Sequence, residues 1–323
     1  MPRQARLDAP GTLHHVIVRG LERGAIVKDD TDREAFVSSL GTLAQATGNT
    51  IYALALLPDH AHLLLRSGGA GLPCMMRRLL TGYAVTFNRR HKRVGHLFQN
   101  RYKSIVCEEE TYFRELVRYI HLNPVRAGLV AALPALDRYP WAGHATVVGR
   151  ISRPWQDRRT ILSWFGRTEA KAVDAYRGYL REGIPIGRRP DLAGGGLFRS
   201  AGGWAEVRAR RHQKEPMAAD PRILGSGDFV EGLLRDAEER LRASFRRTPT
   251  RREIATVIVQ RCRRARISVE ELQQGGRRGS LSMVRAELAR HLITDLGLSL
   301  AQAARHLGVS TPAISKIIRK MEA

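Results

Sequence analysis

The sequence predicts an α+β protein, in which a ferredoxin-like α/β sandwich is followed by an all-α domain that ends in a helix-turn-helix. Three observations predict this class. Strand-like and helix-like patterns alternate over the first 150 residues, the stretch 183–203 is rich in Gly, Pro and Arg, and the patterns after residue 228 are helical. Because hydrophobic residues make up 43% of the 323-residue chain, a normal packed core is expected.

The first 150 residues follow the order β-α-β-β-α-β with one added helix. Apolar runs of strand length lie at 13–19, 51–57, 60–66 and within 96–107. Apolar residues with helical spacing lie at 32–46, 72–90 and 111–122, and Pro124 ends the last of these helices. Pro58-Asp59 predicts a tight turn that pairs the second and third strands. This order is typical of a ferredoxin-like sandwich.

We predict three segments along the chain: the sandwich at 1–150, a connecting segment with a Gly/Arg-rich linker at 151–219, and a helical domain at 220–323. In the last segment Ser299 and Ser310 are expected to cap two helices, with Gly308 in the turn between them. This pattern predicts a helix-turn-helix over 299–321, with an ordinary helical hairpin as the alternative. The candidates for DNA contact on it are Ser310, Thr311, Ser315, Lys316 and Arg319.

The formal net charge of +23 is the strongest compositional signal, with 54 basic residues against 31 acidic ones. A charge this far from neutral favours a polyanionic partner, and arginine can bind a phosphate with two parallel hydrogen bonds. Nucleic acid is therefore the predicted partner, and an anionic membrane is the rival. No stretch of about 18 apolar residues is present, so no membrane partner is predicted.

Cysteine usage points to a reducing compartment. The three cysteines are scattered through the sequence without the spacing of a zinc site or a disulfide framework. Together with the absence of an apolar segment behind the basic N-terminus, this predicts a cytoplasmic, nucleoid-associated protein.

His60-Ala61-His62 is the sharpest local motif. Residues two apart on a strand face the same side, so both imidazoles can approach one point. Two imidazoles on a rigid strand supply much of a divalent metal site. The alternative is a pair of polar residues on an open sheet face.

Tyr119 and Asn123 form the second motif. They are four residues apart on the predicted helix, hence on one face and one turn apart. The Asn123 oxygen could complete a metal shell, and the Tyr119 hydroxyl would lie beside it. The alternative is a core tyrosine and an asparagine that caps the helix before proline. Tyr112, two turns earlier on the same face, is an alternative candidate by spacing.

Three further histidines are interpreted as structural. His14 and His15 are adjacent on the first strand and therefore face opposite sides of the sheet. His15 could approach the histidine motif, but a hydrogen-bonded sheet histidine is the preferred interpretation. His121 lies off the Tyr119 face and is interpreted as structural or phosphate-facing.

Taken together, these motifs resemble the IS200-like single-tyrosine transposases, specifically the REP-associated branch. His60-Ala61-His62 is similar to the histidine–hydrophobic–histidine motif of that family, and residues 119–124 are similar to its catalytic-tyrosine helix. The segments 10–20 and 87–104 also resemble the family pattern, and the resemblance covers about residues 1–148. Basic residues in and near the second segment are predicted to contact DNA: Arg89, Arg90, Lys92, Arg93, Arg101 and Lys103.

The resemblance implies a metal-dependent enzyme that cuts and joins single-stranded hairpin DNA of repetitive palindromes. Tyr119 would attack phosphorus and leave a 5′-phosphotyrosine and a free 3′-hydroxyl. Mg²⁺ or Mn²⁺, bound by His60, His62 and Asn123, would stabilise charge on the phosphate. The resemblance also implies a homodimer. Short transposases of the family often have Gln where this chain has Asn123, so its metal affinity is expected to differ.

Residues 276–308 resemble the DNA-binding domain of the bacterial replication initiator DnaA. The similarity lies in Arg277-Arg278, Val284-Arg285 and 297–299, and it implies that Arg277 and Arg278 contact duplex DNA. The Asp-His pair of the initiator's recognition helix is absent here, so this chain is not expected to recognise the initiator's DNA sequence.

Two other functions compete with a transposase. The first is a regulator that keeps the fold and binds DNA without cutting it, and the joint presence of the four motif residues argues against it. The second is a zinc hydrolase built on His60 and His62, which lacks further acidic or histidine ligands at motif spacing.

Overall fold

The computed structural model of the protein describes residues 7–187, 189, 192, 220–246, 250–276, 279–296 and 298–321. The chain divides into two units, Met1–Leu233 and Leu234–Ala323. The first unit contains a mixed sheet with helices on both faces, and the described part of the second unit is helical. This mixed architecture agrees with the predicted α+β class.

One sheet holds the strands of the described residues. They are β1 (Leu13–Arg19), β2 (Thr50–Leu56), β3 (His60–Arg66), β4 (Lys103–Cys107) and β5 (Ile223–Leu224). Their order is β2-β3-β1-β4-β5, in which the first four strands pair antiparallel and β5 joins β4 in parallel. The four strands predicted from the sequence are confirmed. A two-residue strand such as β5 is too short to leave a periodic pattern.

Eight α-helices lie between residues 30 and 183 of the first unit. They are α1 (Asp30–Thr47), α2 (Leu72–Arg90), α3 (Glu109–His121), α4 (Asn123–Arg126), α5 (Leu133–Leu136), α6 (His144–Val147), α7 (Arg158–Ser163) and α8 (Glu169–Gly183). The Asp29 side chain accepts a hydrogen bond from the Asp32 amide and so caps the start of α1.

The alternation of β3 separates the two hydrophobic cores of this unit. Ala61, Leu63 and Leu65 are buried in the core that includes α1 and α2. Leu64 is buried in the other core, which includes α3, α7 and α8. Because side chains alternate along a strand, His62 lies on the α3 side of the sheet.

Residues 151–187 contribute to the first unit, although the sequence assigned them to a connecting segment. The helices α7 and α8 bury Ile161, Tyr176 and Leu180 in the core that contains α3. The burial of these side chains depends on α3, which is distant in sequence, so local patterns could not assign the two helices to this unit. Most of the predicted linker lies outside the described residues, and the boundaries at 150 and 220 stay predictions.

Six helices lie at the end of the chain in the described residues. They are α9 (Gly227–Arg246), which crosses the unit boundary, and α10 (Arg251–Arg264), α11 (Val269–Gln273), α12 (Gly279–Arg290), α13 (Leu300–His306) and α14 (Thr311–Met321). A π-helical turn, His291–Asp295, follows α12. Ile254, Leu272, Leu288 and Ile314 are core residues here.

Gly308 determines the turn between α13 and α14. Its φ of +63° lies in the left-handed region. A Cβ at this position would lie 1.9 Å from the Gln273 carbonyl oxygen, so no larger residue fits. The Ser299 side chain accepts from the Gln302 amide and caps α13, as predicted. Among the described residues, no helix combines the length and apolarity that a membrane span requires.

Candidate functional site

A pocket of about 630 Å³ opens on the α3 side of the sheet. Residues of β1, β3, α3 and α4 and of the segment 99–103 line it. The structure brings the four motif residues of the sequence together there: His60, His62, Tyr119 and Asn123.

The hydrogen bonds of His60 determine which of its nitrogens faces the pocket. His60 Nδ1 lies 2.6 Å from Asp59 Oδ1. Because a carboxylate only accepts, Nδ1 carries the proton and donates. In the neutral ring, the lone pair is therefore on Nε2, which leaves that nitrogen available to a metal.

A chain of three groups determines the tautomer of His62. The carbonyl oxygen of Leu192 can only accept, so His15 donates to it from Nδ1 at 3.0 Å. Neutral His15 then accepts at Nε2, and His62 donates to it from Nδ1 at 2.9 Å. The lone pair of His62 is consequently on Nε2. Burial, with the nearby His15, His60 and Arg19, holds the pKa of His62 well below its usual value, which keeps the ring neutral.

The rings of the motif lie close together. The ring centroids of His60 and His62 are 5.1 Å apart, and those of His62 and Tyr119 are 5.6 Å apart. Tyr119 therefore faces the two histidines on the same side of the sheet. Tyr112, which spacing could not exclude, packs against the α3 core and does not line the pocket.

Asn123 both caps a helix and lines the pocket. Its side-chain nitrogen donates to the carbonyl oxygens of Tyr119 and Ile120 at 3.0 and 3.3 Å. Because carbonyl oxygens only accept, the amide nitrogen must point to the end of α3. The Asn123 side-chain oxygen is thereby turned away from these carbonyls. The two sequence interpretations of this residue are thus compatible.

Sequence reasoning missed Arg126. Its guanidinium carbon lies 5.5 Å from the ring centroid of Tyr119, and Nη1 donates to the Tyr119 carbonyl oxygen at 3.2 Å. Burial lowers the pKa of Arg126, but a guanidinium stays charged in proteins. Arg126 is on α4, beyond Pro124, so the spacing rule for a single helix does not relate it to Tyr119.

The predicted DNA contacts of the first unit fall into two groups. Arg101 and Lys103 line the pocket, as do Arg19, Arg23 and Arg189, which the sequence did not single out. Four predicted contacts on the C-terminal end of α2 and the loop after it do not line the pocket: Arg89, Arg90, Lys92 and Arg93.

Arg90 takes part in a separate ion cluster. It donates to the side chains of Asp29 and Asp32 at 2.6–2.8 Å, and His91 Nε2 lies 2.8 Å from Asp32. The ligand atoms of Asp29, Asp32 and His91 all lie within 4.8 Å of one another. The Arg90 guanidinium already neutralises the carboxylates, so the cluster is best described as an ion-pair network that joins α1 to α2.

A second histidine–tyrosine cluster lies on the other side of α3. The Tyr176 hydroxyl is 2.7 Å from His121 Nδ1 and 2.9 Å from His144 Nδ1. His144 Nε2 donates to Asp137 at 2.7 Å, and Arg177 pairs with the same carboxylate. His121, His144 and Tyr176 are fully buried. The structural interpretation of His121 agrees with this contact.

The candidate contacts of the second unit are only partly described. Ser310, Thr311 and Lys316 are exposed and Ser315 is half-buried. Arg277, Arg278 and the side chain of Arg319 lie outside the described residues.

Comparison with known proteins finds similarity to the first part of the chain. Residues 11–123 match the family described as "Transposase IS200 like". The chain is also similar, at 18% identity and a TM-score of 0.40, to a structure described as a REP-associated tyrosine transposase bound to a REP hairpin, over 48% of this chain and 90% of that one. A candidate transposase from Deinococcus radiodurans R1 is similar at 20% identity and a TM-score of 0.27, over 35% and 92%.

The two structural similarities are too weak to assign a function. A search of curated proteins found no match. The family match ends at residue 123, so the resemblance of residues 276–308 to DnaA stays a prediction. The similarity to the IS200-like transposases is therefore established for residues 11–123, which include three of the four motif residues and end at the fourth, Asn123.

Proposed function

We propose that the protein is a metal-dependent endonuclease and strand transferase for single-stranded hairpin DNA, with Tyr119 as the nucleophile. The observation that carries the proposal is the shared pocket, in which the Tyr119 ring faces two histidines whose tautomers leave both Nε2 lone pairs available. The basic residues around the pocket suit a polyanionic substrate.

The donor set fits a divalent cation. The Nε2 atoms of His60 and His62 and the side-chain oxygen of Asn123 would hold it, and Mg²⁺ or Mn²⁺ is the proposed ion. When bound, the ion supplies Lewis-acid stabilisation of charge on the scissile phosphate. His15 and Asp59 act as positioning residues, because they orient the two imidazoles through Nδ1.

Tyr119 performs the covalent step. Its phenol loses a proton, the oxygen bonds to phosphorus, and the bond from phosphorus to the 3′ oxygen breaks as that oxygen takes up a proton. The Arg126 guanidinium beside the ring stabilises the negative charge that develops on the phenol oxygen. The product is a 5′-phosphotyrosine and a 3′-hydroxyl. A phosphodiester is exchanged for a phosphodiester, so a new 3′-hydroxyl can reverse the step without ATP.

The proposal also includes the fold that carries the pocket, the DNA substrate and the assembly of the protein. We propose that β1–β4 with α1 and α2 form a ferredoxin-like sandwich, since the strand order β2-β3-β1-β4 and the element order match that fold. The resemblance to the REP-associated branch motivates hairpins of repetitive palindromes as the substrate. The implied homodimer and the nucleoid location are part of the same proposal.

A covalent adduct tests the proposal. Full-length protein is incubated with hairpin DNA and Mn²⁺ and resolved on a denaturing gel. We expect an adduct with the wild type and with Tyr112→Phe, and none with Tyr119→Phe, because only the latter loses the proposed nucleophile. Tyr112→Phe is a matched control on the same helix.

An adduct that is lost in Tyr112→Phe and kept in Tyr119→Phe would show that Tyr112, and not Tyr119, is the nucleophile. Hairpin binding without an adduct under any metal condition would instead support the alternative function, a regulator that binds DNA without cutting it.

We also propose that α13 and α14 form a helix-turn-helix that binds duplex DNA through its second helix. Lys316 is exposed on α14. Lys316→Glu is expected to weaken duplex binding about tenfold, whereas Arg252→Glu, the same charge change at an exposed site on α10, is expected to have a smaller effect. Fluorescence anisotropy measures the duplex affinity of both variants. Equal losses of affinity would show that binding depends on the total charge and not on the second helix.

A further inference from the structure

A second cavity, which we call the α2 groove, adjoins the catalytic pocket. It lies between one face of α2, from Pro73 to Asn88, and the segment 95–102, and its volume is about 890 Å³. Gln99, Asn100 and Arg101 line both the groove and the catalytic pocket. A strand that leaves the pocket along these three residues would therefore enter the groove.

The lining of the groove combines apolar surface with cations. Met76, Leu80, Ala84, Leu97 and Phe98 contribute its apolar part. Val85 on its α2 side is 63% exposed, so this surface is not covered by other described residues.

Charge distinguishes the groove from an ordinary apolar cleft. Arg77 and Arg101 lie on it, and its described lining contains no Asp or Glu. Proteins that bind single-stranded DNA commonly combine these two features: the bases lie on apolar or aromatic surface, and the phosphates lie beside cations.

We propose that the α2 groove binds the unpaired nucleotides that flank the scissile phosphate. Bases would cover the apolar surface around Val85 and Phe98, and Arg77 and Arg101 would contact the phosphates. This inference rests on the proposed function only in taking single-stranded DNA as the ligand. Continuity with the pocket and the positive charge favour this occupant over a second copy of the chain, which carries the same positive charge.

Two threonines on α2 provide a matched test. Thr81 is exposed and lines the groove, whereas Thr86 is exposed on the same helix and lines neither cavity. Each is changed to Glu and to Lys in full-length protein that carries Tyr119→Phe, and binding is measured in EDTA. The DNA is a labelled hairpin with either no flank or a six-nucleotide flank on the 5′ or the 3′ side.

We expect Thr81→Glu to weaken binding of one flanked hairpin roughly tenfold, and Thr81→Lys to strengthen it, because the sign of one charge beside the phosphates is reversed. The hairpin without a flank should respond much less, and the Thr86 variants should respond little with any DNA. The responding flank identifies the side of the scissile phosphate that enters the groove.

Equal responses at Thr81 and Thr86, or equal responses with and without a flank, would overturn the proposal. A Thr81→Glu variant that changes the sedimentation of the protein without changing DNA affinity would assign the groove to a second copy of the chain. Because the assay requires neither metal nor Tyr119, a failure of the proposed cleavage chemistry would leave its outcome unaffected, and the two failures are distinguishable.

Discussion

Two histidine–tyrosine clusters flank α3, and they differ in what their hydrogen bonds leave available. Tyr119 faces His62 and His60 in a solvent-open pocket, and each of these imidazoles has its Nδ1 proton bonded and its Nε2 lone pair available. His121, only two residues from Tyr119, belongs to the buried cluster with Tyr176 and His144. Residue types alone therefore do not distinguish a candidate reactive site from a structural cluster.

The positions of the protons and lone pairs in each cluster explain the difference. In the buried cluster His144 donates to Asp137, Tyr176 donates to His144, and His121 donates to Tyr176. The remaining lone pair, on His121 Nε2, is enclosed beside Gly143, where an added Cβ would lie 2.8 Å away. The pocket cluster directs its lone pairs to an open basic surface, whereas the buried cluster has no space for a ligand.

The largest expected effect comes from removing one imidazole from each cluster. His62→Leu should reduce adduct formation by about a thousandfold or more and abolish specific Mn²⁺ binding, because it removes a proposed ligand. His144→Leu should leave both properties intact and should lower the free energy of unfolding by about 1–3 kcal/mol, since Tyr176 loses an acceptor.

Isothermal titration with Mn²⁺, gel assays of the adduct and urea unfolding measure these three quantities. If His144→Leu lost Mn²⁺ binding while remaining folded, the separation between the two clusters would be wrong.

The positioning role of His15 gives the next largest effect. His15→Leu removes the acceptor that holds the proton on His62 Nδ1, and we expect Mn²⁺ affinity to fall about 10–100-fold. His14→Leu is the matched control, because His14 is also fully buried but bonds Thr12 and Ser104 instead.

Mn²⁺ affinity, measured by electron paramagnetic resonance, separates this role from a purely structural one. An unchanged affinity in folded His15→Leu would remove His15 from the proposed site, whatever its effect on stability.

The smallest effect concerns acid stability and the buried cluster. Burial lowers the pKa of His144 to about 4, below its usual value of 6.5. The unfolded chain therefore binds more protons between these two values. The stability contribution of His144 is present in full above pH 6.5 and is lost as the pH falls towards 4, with a slope of at most about 1.4 kcal/mol per pH unit.

Urea unfolding at several pH values between 4 and 7 measures this slope. His144→Leu should flatten it relative to the wild type, and Lys316→Glu, which alters an exposed side chain of the second unit, should leave it unchanged. A slope that His144→Leu does not alter would show that other groups dominate acid unfolding.

Sequence periodicity was enough to single out four residues that the structure brings together in one pocket. The two-residue spacing of His60 and His62 and the four-residue spacing of Tyr119 and Asn123 depend only on strand and helix geometry. These rules operate within one element. The two elements meet at one pocket only because α3 packs against the sheet, and a rule for a single element does not predict that packing.

The remaining parts of the site are contacts between distant segments, which periodicity cannot detect. His15 reaches His62 through the β1–β3 register, and its other partner is the Leu192 carbonyl, 177 residues away in sequence. Arg126 follows a proline that ends the helix of Tyr119. Arg90 is of the residue type expected of a DNA contact, but its side chain is paired with the carboxylates of Asp29 and Asp32 at the start of α1.

Covalent attachment of Tyr119 to the 5′ phosphate of cleaved DNA is the central step of the proposed function. It is tested most directly by mass spectrometry of the adduct formed with Mn²⁺ and a hairpin labelled at either end, after digestion with trypsin and nuclease. We predict that the peptide containing Tyr119 carries a nucleotide attached through its 5′ phosphate. Before nuclease treatment, the protein should retain the label at the 3′ end of the DNA. Modification of any other tyrosine, or retention of the 5′ label, would contradict the claim.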